Sequence, residues 1–187
     1  MKKIPTLFER EFENHKVVKI NGNIHPGMEW VLKGEGEATI KWDGSCCAMI
    51  MGMFYKRFDA KKGRKIPDGA IACCDPDPVT GHWPCWVPVT DCPADQWFIR
   101  AKENYERKFG CALTDGTYEA IGPHFNANRH KMETDTLRPH GIDVVEVERT
   151  FAGIRKYLEE NMIEGLVFWK DGIPECKIKR SDFGLDW

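Results

Sequence analysis

The stretch Glu164-Gly165-Leu166-Val167-Phe168-Trp169-Lys170-Asp171-Gly172-Ile173-Pro174-Glu175-Cys176-Lys177-Ile178-Lys179-Arg180 decides the fold class. Its first part is apolar and rich in strand formers, Asp171-Gly172 supplies a short turn, and the chain alternates again from Glu175. That pattern predicts a β-hairpin. Side chains alternate faces along a strand, so Lys177 and Lys179 share one face while Cys176 and Ile178 share the other. The same alternation puts Glu164 on the face of Leu166 and Phe168. An acid on one strand therefore lies beside two ammonium groups on the next, a combination suited to a metal ion and phosphates. The competing reading of Lys177 and Lys179 is a wet sheet edge blunted by lysines.

Outward from the hairpin, residues 16–20, 29–32 and 38–41 read as short strands broken by Gly22, Gly27, Gly34 and Gly36. Residues 47–51, 53–58, 117–121 and 142–147 read as further strands. Residues 61–93 are rich in Gly, Pro, Asp and Lys and predict a long loop or insertion. Residues 94–109 predict a helix, with Trp97, Ala101, Tyr105 and Phe109 as a core stripe and Gly110 as its stop. Thr150 is placed to cap a second helix whose Phe151, Ile154 and Leu158 face inward. The fold class is α+β, with the hairpin closing the sheet, and the chain has no internal repeat or low-complexity linker.

The run Thr39-Ile40-Lys41-Trp42-Asp43-Gly44-Ser45 sets a lysine two residues before an Asp-Gly turn. Such a lysine can aim an amine at a phosphate; the bland alternative is a solvated lysine on an exposed turn. With a reference pKa of about 10.4, a lysine attacks at neutral pH only when burial, neighbouring cations or a metal disfavour its charge. The hairpin supplies candidate groups.

Four runs then fall in a telling order: Lys41-Trp42-Asp43-Gly44, Thr117-Tyr118-Glu119-Ala120-Ile121-Gly122-Pro123, Glu164-Gly165-Leu166-Val167-Phe168 and Lys177-Ile178-Lys179. Together they resemble the motifs of the covalent nucleotidyltransferases, the family of ATP-dependent RNA and DNA ligases and mRNA capping enzymes. A closer likeness is to the small RNA ligases related to the vertebrate 5′-to-3′ RNA ligase. It is carried by Cys46-Cys47 after the first motif, by Gly81-His82-Trp83-Pro84-Cys85-Trp86-Val87-Pro88-Val89 and by Pro139-His140-Gly141. The resemblance runs from about Lys33 to the C-terminus and leaves residues 1–32 outside. It implies a single adenylyltransferase domain over residues 1–187, ATP-grasp-like, of mainly antiparallel sheets with flanking helices and no C-terminal OB-fold.

The resemblance also implies roles. Lys41 takes AMP from ATP, Glu119 holds the ribose, Arg57 lies near the nucleotide, and Lys177 and Lys179 hold the α-phosphate. Glu164 and Asp43 serve Mg2+ or Mn2+, through water. The adenylate then passes to the 5′-phosphate of RNA, and a 3′-hydroxyl displaces AMP. Where many ligases have a glutamate just before the nucleophile and an arginine five residues after it, this chain has Thr39 and Ile40 before Lys41 and Cys46 after. The alternatives are a DNA ligase, a capping-type guanylyltransferase and a non-catalytic nucleotide- or RNA-binding module.

Composition agrees with one catalytic unit: 187 residues, 42% hydrophobic and 30% charged, with a formal net charge of -2. No apolar run approaches the roughly twenty residues of a membrane span, and the N-terminus lacks a signal-peptide core, so a soluble, cytoplasmic protein in a reducing compartment is expected. The eight cysteines then read as reduced thiols rather than disulfides, or zinc held by Cys73, Cys74, Cys85 and Cys92. His124, His130 and His140 lie in a polar connection. His140 either meets a base or phosphate or simply holds a turn. For RNA, the basic stretch of Lys56, Arg57, Lys61, Lys62, Arg64 and Lys65 is favoured over Arg100, Lys102, Arg107 and Lys108 on the first helix.

Overall fold

The computed structural model describes residues 3–13, 16–61, 63 and 65–187. In chain order the elements are β1 (Phe8–Glu13), β2 (Lys16–Ile24), α1 (Glu29–Leu32), β3 (Glu37–Lys41), β4 (Ser45–Ile50), β5 (Met53–Ala60), β6 (Ile71–Ala72) and β7 (Trp83–Pro88). They continue with α2 (Gln96–Phe109), β8 (Gly116–Ile121), β9 (Thr136–Pro139), β10 (Val144–Val145), α3 (Phe151–Glu160), β11 (Gly165–Lys170) and β12 (Ile173–Lys179). The fold is mixed α+β, with mostly antiparallel sheets and few helices. Its contacts group into two compact units, Asp43–His140 with Lys3, and Ile4–Trp42 with Gly141–Trp187.

The unit formed by Ile4–Trp42 and Gly141–Trp187 contains the β1–β2 pair and a four-stranded sheet of order β10-β3-β11-β12. The expected hairpin is β11 and β12. Asp171 and Gly172 both take positive φ, 51° and 74°, the two-residue turn whose twist matches that of the strands it joins. Ala38, Leu166, Phe168, Cys176 and Ile178 point into a core with Ile154 and Leu158 of α3. Thr150 caps α3 by accepting a 2.9 Å bond from the Gly153 amide.

Residues before Lys33, outside the family resemblance, are part of this core: Leu7, Phe8, Ile20, Trp30 and Val31 all pack into it. Residues 29–32 form the one-turn helix α1 rather than the expected strand. Adjacent Trp30 and Val31 are both buried, which neighbours on a strand achieve only between two packed layers, whereas neighbours on a helix can turn inward together. The outer edge of β12 is paired at Lys177: Leu7 N donates to Lys177 O at 2.8 Å and Lys177 N donates to Pro5 O at 3.0 Å, an isolated parallel bridge on the strand that carries both lysines.

The Asp43–His140 unit is a six-stranded antiparallel sheet of order β6-β7-β5-β4-β8-β9. Helix α2 covers one face, with Ala101 packed among Cys47, Met49, Tyr118, Ala120 and Leu137. Gly110, at φ 68°, stops it as expected, although Phe109 at the end of the stripe is 54% exposed. The expected 61–93 loop contains β6 and β7. Proline disguised them: β6 pairs with Cys85 and Trp86, leaving Pro84 and Pro88 at positions of edge character where a missing N–H is tolerated. The expected 142–147 strand shrinks to β10, and β9, ending in a proline, was hidden for the same reason. Among the described residues, no helix is long and apolar enough to cross a membrane. All eight cysteines are free thiols.

Candidate functional site

The β3–β11 ladder sets Lys41 opposite Gly165. The β11–β12 ladder sets Lys179 opposite the same glycine and Lys177 opposite Val167. All three lysines thus belong to the sheet face turned away from Ala38, Leu166 and Ile178. Gly165 leaves no side chain between its flanking lysines, and its neighbours are tight: a Cβ there would meet Ile178 O at 2.0 Å.

Glu164 fills the gap. Its Oε2 accepts a 2.5 Å hydrogen bond from Lys41 Nζ, and its Oε1 lies 2.5 Å from Lys179 Nζ. The expectation from alternation, that Glu164 shares the face of Leu166 and Phe168, is corrected. Glu164 sits in a bend just ahead of β11, where strand alternation no longer governs, and its carboxylate turns to the lysine face while the two apolar side chains enter the core. Three ammonium groups around one carboxylate leave an excess of positive charge. Lys177 feels it: burial first, then the charges of Lys41, Lys179 and Arg10, push its pKa down to about 8.

Arg10 and Asp182 hold this arrangement, and sequence reasoning missed both. Arg10 donates to Asp182 Oδ1 through Nε at 3.0 Å and a terminal nitrogen at 2.6 Å. Asp182 Oδ2 accepts the Lys179 amide at 2.9 Å. Asp182 stands at the capping-box position three residues after Lys179, but a lysine is not among the residues that announce a cap, and the arginine, 172 residues away from Asp182, carried no local signal either. Just beyond Lys41 and the end of β3, Trp42 Nε1 donates to Asp143 Oδ2 at 2.7 Å.

Asp43-Gly44 is not a hairpin turn. β3 ends at Lys41, β4 begins at Ser45 in another sheet, and Asp43 opens the second unit. Gly44 is required for close approach, because a Cβ there would lie 2.1 Å from Ala120 O. Asp43 Oδ1 accepts from Asn126 Nδ2 at 2.8 Å, Oδ2 lies 3.8 Å from Arg129 Nε, and its amide donates to His130 Nε2 at 2.8 Å. Of the two carboxylates expected at a metal, Asp43 belongs to this unit and Glu164 to the other. Carboxylate oxygen suits Mg2+ or Mn2+. Each Glu164 oxygen keeps a lone pair beyond the one its lysine uses, so Glu164 fits a hydrated cation through water.

In the Asp43–His140 unit, Glu119 is nearly buried. Its Oε1 accepts the Gly44 amide at 3.1 Å, and its Oε2 lies 3.0 Å from His140 Nε2. His140 Nδ1 meets Thr117 Oγ1 at 3.0 Å, so this histidine serves Glu119. Arg57 pairs with Asp59 at 2.9 Å, and its charge also reaches Cys46. In the basic stretch, Lys56 is paired with Asp95 and Lys65 with Asp68, Lys61 is exposed, and Lys62 and Arg64 lie outside the described residues. Cys73, Cys74, Cys85 and Cys92 form no metal-type cluster among the described residues. The cluster that does occur is Cys46, Glu119 and His140.

No protein-family model and no curated protein matches the chain.

Proposed function

We propose that the chain is an ATP-dependent RNA ligase of the covalent nucleotidyltransferase type, its α+β architecture serving as an ATP-grasp-like adenylyltransferase domain. The observation that carries the reading is Lys41, Lys177 and Lys179 gathered around the carboxylate of Glu164 on one sheet face. A structural ion pair needs one lysine. Three, two of them on the last strand and one on a strand paired two places away, suit a bound polyanion.

In the first step Lys41 Nζ, having given up its ammonium proton toward Glu164 Oε2, attacks the α-phosphorus of ATP. The P–N bond forms as the P–O bond to pyrophosphate breaks, and pyrophosphate leaves with the electron pair. Lys177 and Lys179 hold the α-phosphate oxygens as their charge rises. Mg2+ or Mn2+, held by Glu164 through water, supplies further neutralisation of phosphate charge when bound. Glu119 and Arg57 take the ribose and nucleotide roles that the family resemblance implies. In the second step an oxygen of the RNA 5′-phosphate displaces Lys41 from the adenylate phosphorus, and the lysine recovers a proton. In the third, the RNA 3′-hydroxyl attacks the activated 5′-phosphorus, loses its proton, and AMP departs.

Intact mass spectrometry after incubation with Mg2+ and either ATP or GTP tests the reading, followed by sealing assays on 5′-phosphorylated RNA and DNA. A mass gain of one AMP, absent from Lys41→Ala, together with RNA sealing, is expected. A label that persists in Lys41→Ala overturns the nucleophile. A gain of GMP in preference to AMP points to a guanylyltransferase, and preferential DNA sealing to a DNA ligase.

A further inference from the structure

The six-stranded sheet carries a second constellation of donor atoms that the proposed ligase chemistry uses only in part. Cys46 on β4 is the direct partner of Glu119 on β8. His140 follows β9, which pairs with β8 on its other side, and its amide donates to Thr117 O at 3.0 Å. A thiol, a carboxylate and an imidazole thereby converge on one sheet face, their ligand atoms all within 4.8 Å of one another. We propose that Cys46, Glu119 and His140 bind a thiophilic divalent cation, with Zn2+ as the type.

The chemistry and the spacing favour this class. Sulfur, nitrogen and one carboxylate oxygen form a donor set for zinc rather than for magnesium or calcium. In a tetrahedral zinc site such atoms stand about 3.3–3.6 Å apart, as bond lengths of about 2.0–2.3 Å require. His140 Nε2 and Glu119 Oε2 already stand 3.0 Å apart, and the thiol lies within 4.8 Å of both, so it is the donor that draws in to close the site. Two of the ligands are oriented from behind: His140 Nδ1 by Thr117 Oγ1 and Glu119 Oε1 by the Gly44 amide. Outer partners of this kind fix the tautomer and aim of a metal ligand.

The balance is simple. With a neutral imidazole, the Nε2 proton passes to Nδ1, where Thr117 Oγ1 accepts it, and the Cys46 thiol releases its proton to solvent. One proton leaves per cation, and thiolate plus carboxylate neutralise the dipositive ion. Three protein donors leave a fourth position for water. Because Glu119 is the residue assigned to the ribose, the cation and the nucleotide compete for it; this consequence alone rests on the proposed function.

The test titrates the full-length protein, kept reduced by a phosphine, with Co2+ as a coloured stand-in for Zn2+. One equivalent is expected to give a thiolate-to-cobalt charge-transfer band that Zn2+ abolishes. Cys46→Ser loses the band, Cys73→Ser keeps it, and Thr117→Val weakens binding about 10–100-fold by removing the partner of His140. Circular dichroism of each variant separates loss of the site from loss of the fold. A wild-type protein without the thiolate band overturns the proposal, as does a Cys46→Ser variant that retains it. Adenylylation of Lys41 in the presence of Zn2+ is read separately. If cobalt binds as described and labelling is not slowed, the cation site stands and the ribose role of Glu119 falls.

Discussion

Lys41 and Gly165 face each other across the β3–β11 ladder, with Lys179 facing the same glycine from β12. The central strand thus has a bare position between two ammonium groups, and the Glu164 carboxylate occupies it. Gly165→Ala drives a Cβ into Ile178 O and to 2.8 Å from the Lys179 Cα. Both are backbone, so β11 and β12 must separate. A loss of about 1–3 kcal/mol is expected in urea unfolding, with loss of Lys41 labelling. An unchanged midpoint would show that the ladder register differs from the one described.

Glu164→Gln keeps the shape of the side chain and removes its charge. One of the two lysines then faces an amide N–H in place of an oxygen. A cost of about 1–3 kcal/mol in stability and roughly a 100-fold fall in the rate of AMP attachment are expected, read by urea titration and by time-resolved intact mass.

Lys177 gives a pH signature. Its ordinary value is 10.5 and in the fold it drops to about 8. Below pH 8 both the folded and unfolded chains hold the proton, and the native state bears the full penalty of a buried, crowded charge. Between about pH 8 and 10.5 the unfolded chain holds more protons, so this group's contribution raises stability with pH. Lys177→Met removes the penalty: about 1–3 kcal/mol more stability at pH 7, a flatter profile from pH 8 to 10.5, and loss of AMP attachment. Urea midpoints of the two proteins at half-unit pH steps check the sign.

Arg10→Ala and Thr150→Ala form a contrasting pair. Removing the Arg10 guanidinium leaves Asp182, which holds the Lys179 amide, without its partner, so AMP attachment falls along with stability. Removing the cap of α3 costs about 1 kcal/mol and leaves AMP attachment intact at temperatures well below unfolding. Equal losses of activity in both variants, after correction for the folded fraction, would assign Arg10 to stability alone.

The parts of the fold legible in the sequence were those set by local pattern. Asp171-Gly172 announced its turn, the four-residue spacing of Trp97, Ala101 and Tyr105 announced α2, and Thr150 announced its cap. Residues 29–32 misled because a one-turn helix is too short to show a period. Trp83–Pro88 misled because its prolines obscured a strand whose other residues are strong strand formers. Within the site, Lys41, Lys177, Lys179 and Glu164 stood out as residue types in order. What joined them was a β3–β11 pairing that brings Lys41 to Glu164 across 123 residues, and no local signal encodes such a pairing. The Cys46–Glu119–His140 cluster depends on strand register in the same way.

The pairing of Pro5–Leu7 with Lys177 and the Arg10–Asp182 bond also constrain the order of events on the ribosome. Asp43–His140 can emerge and fold while β11 and β12 are still unmade. The lysine cluster cannot: its support joins residues 172 apart in sequence, so it assembles only when translation has passed Asp182. A nascent chain that has not yet reached Asp182 therefore lacks the gathered lysines, and the cluster forms in one step rather than strand by strand.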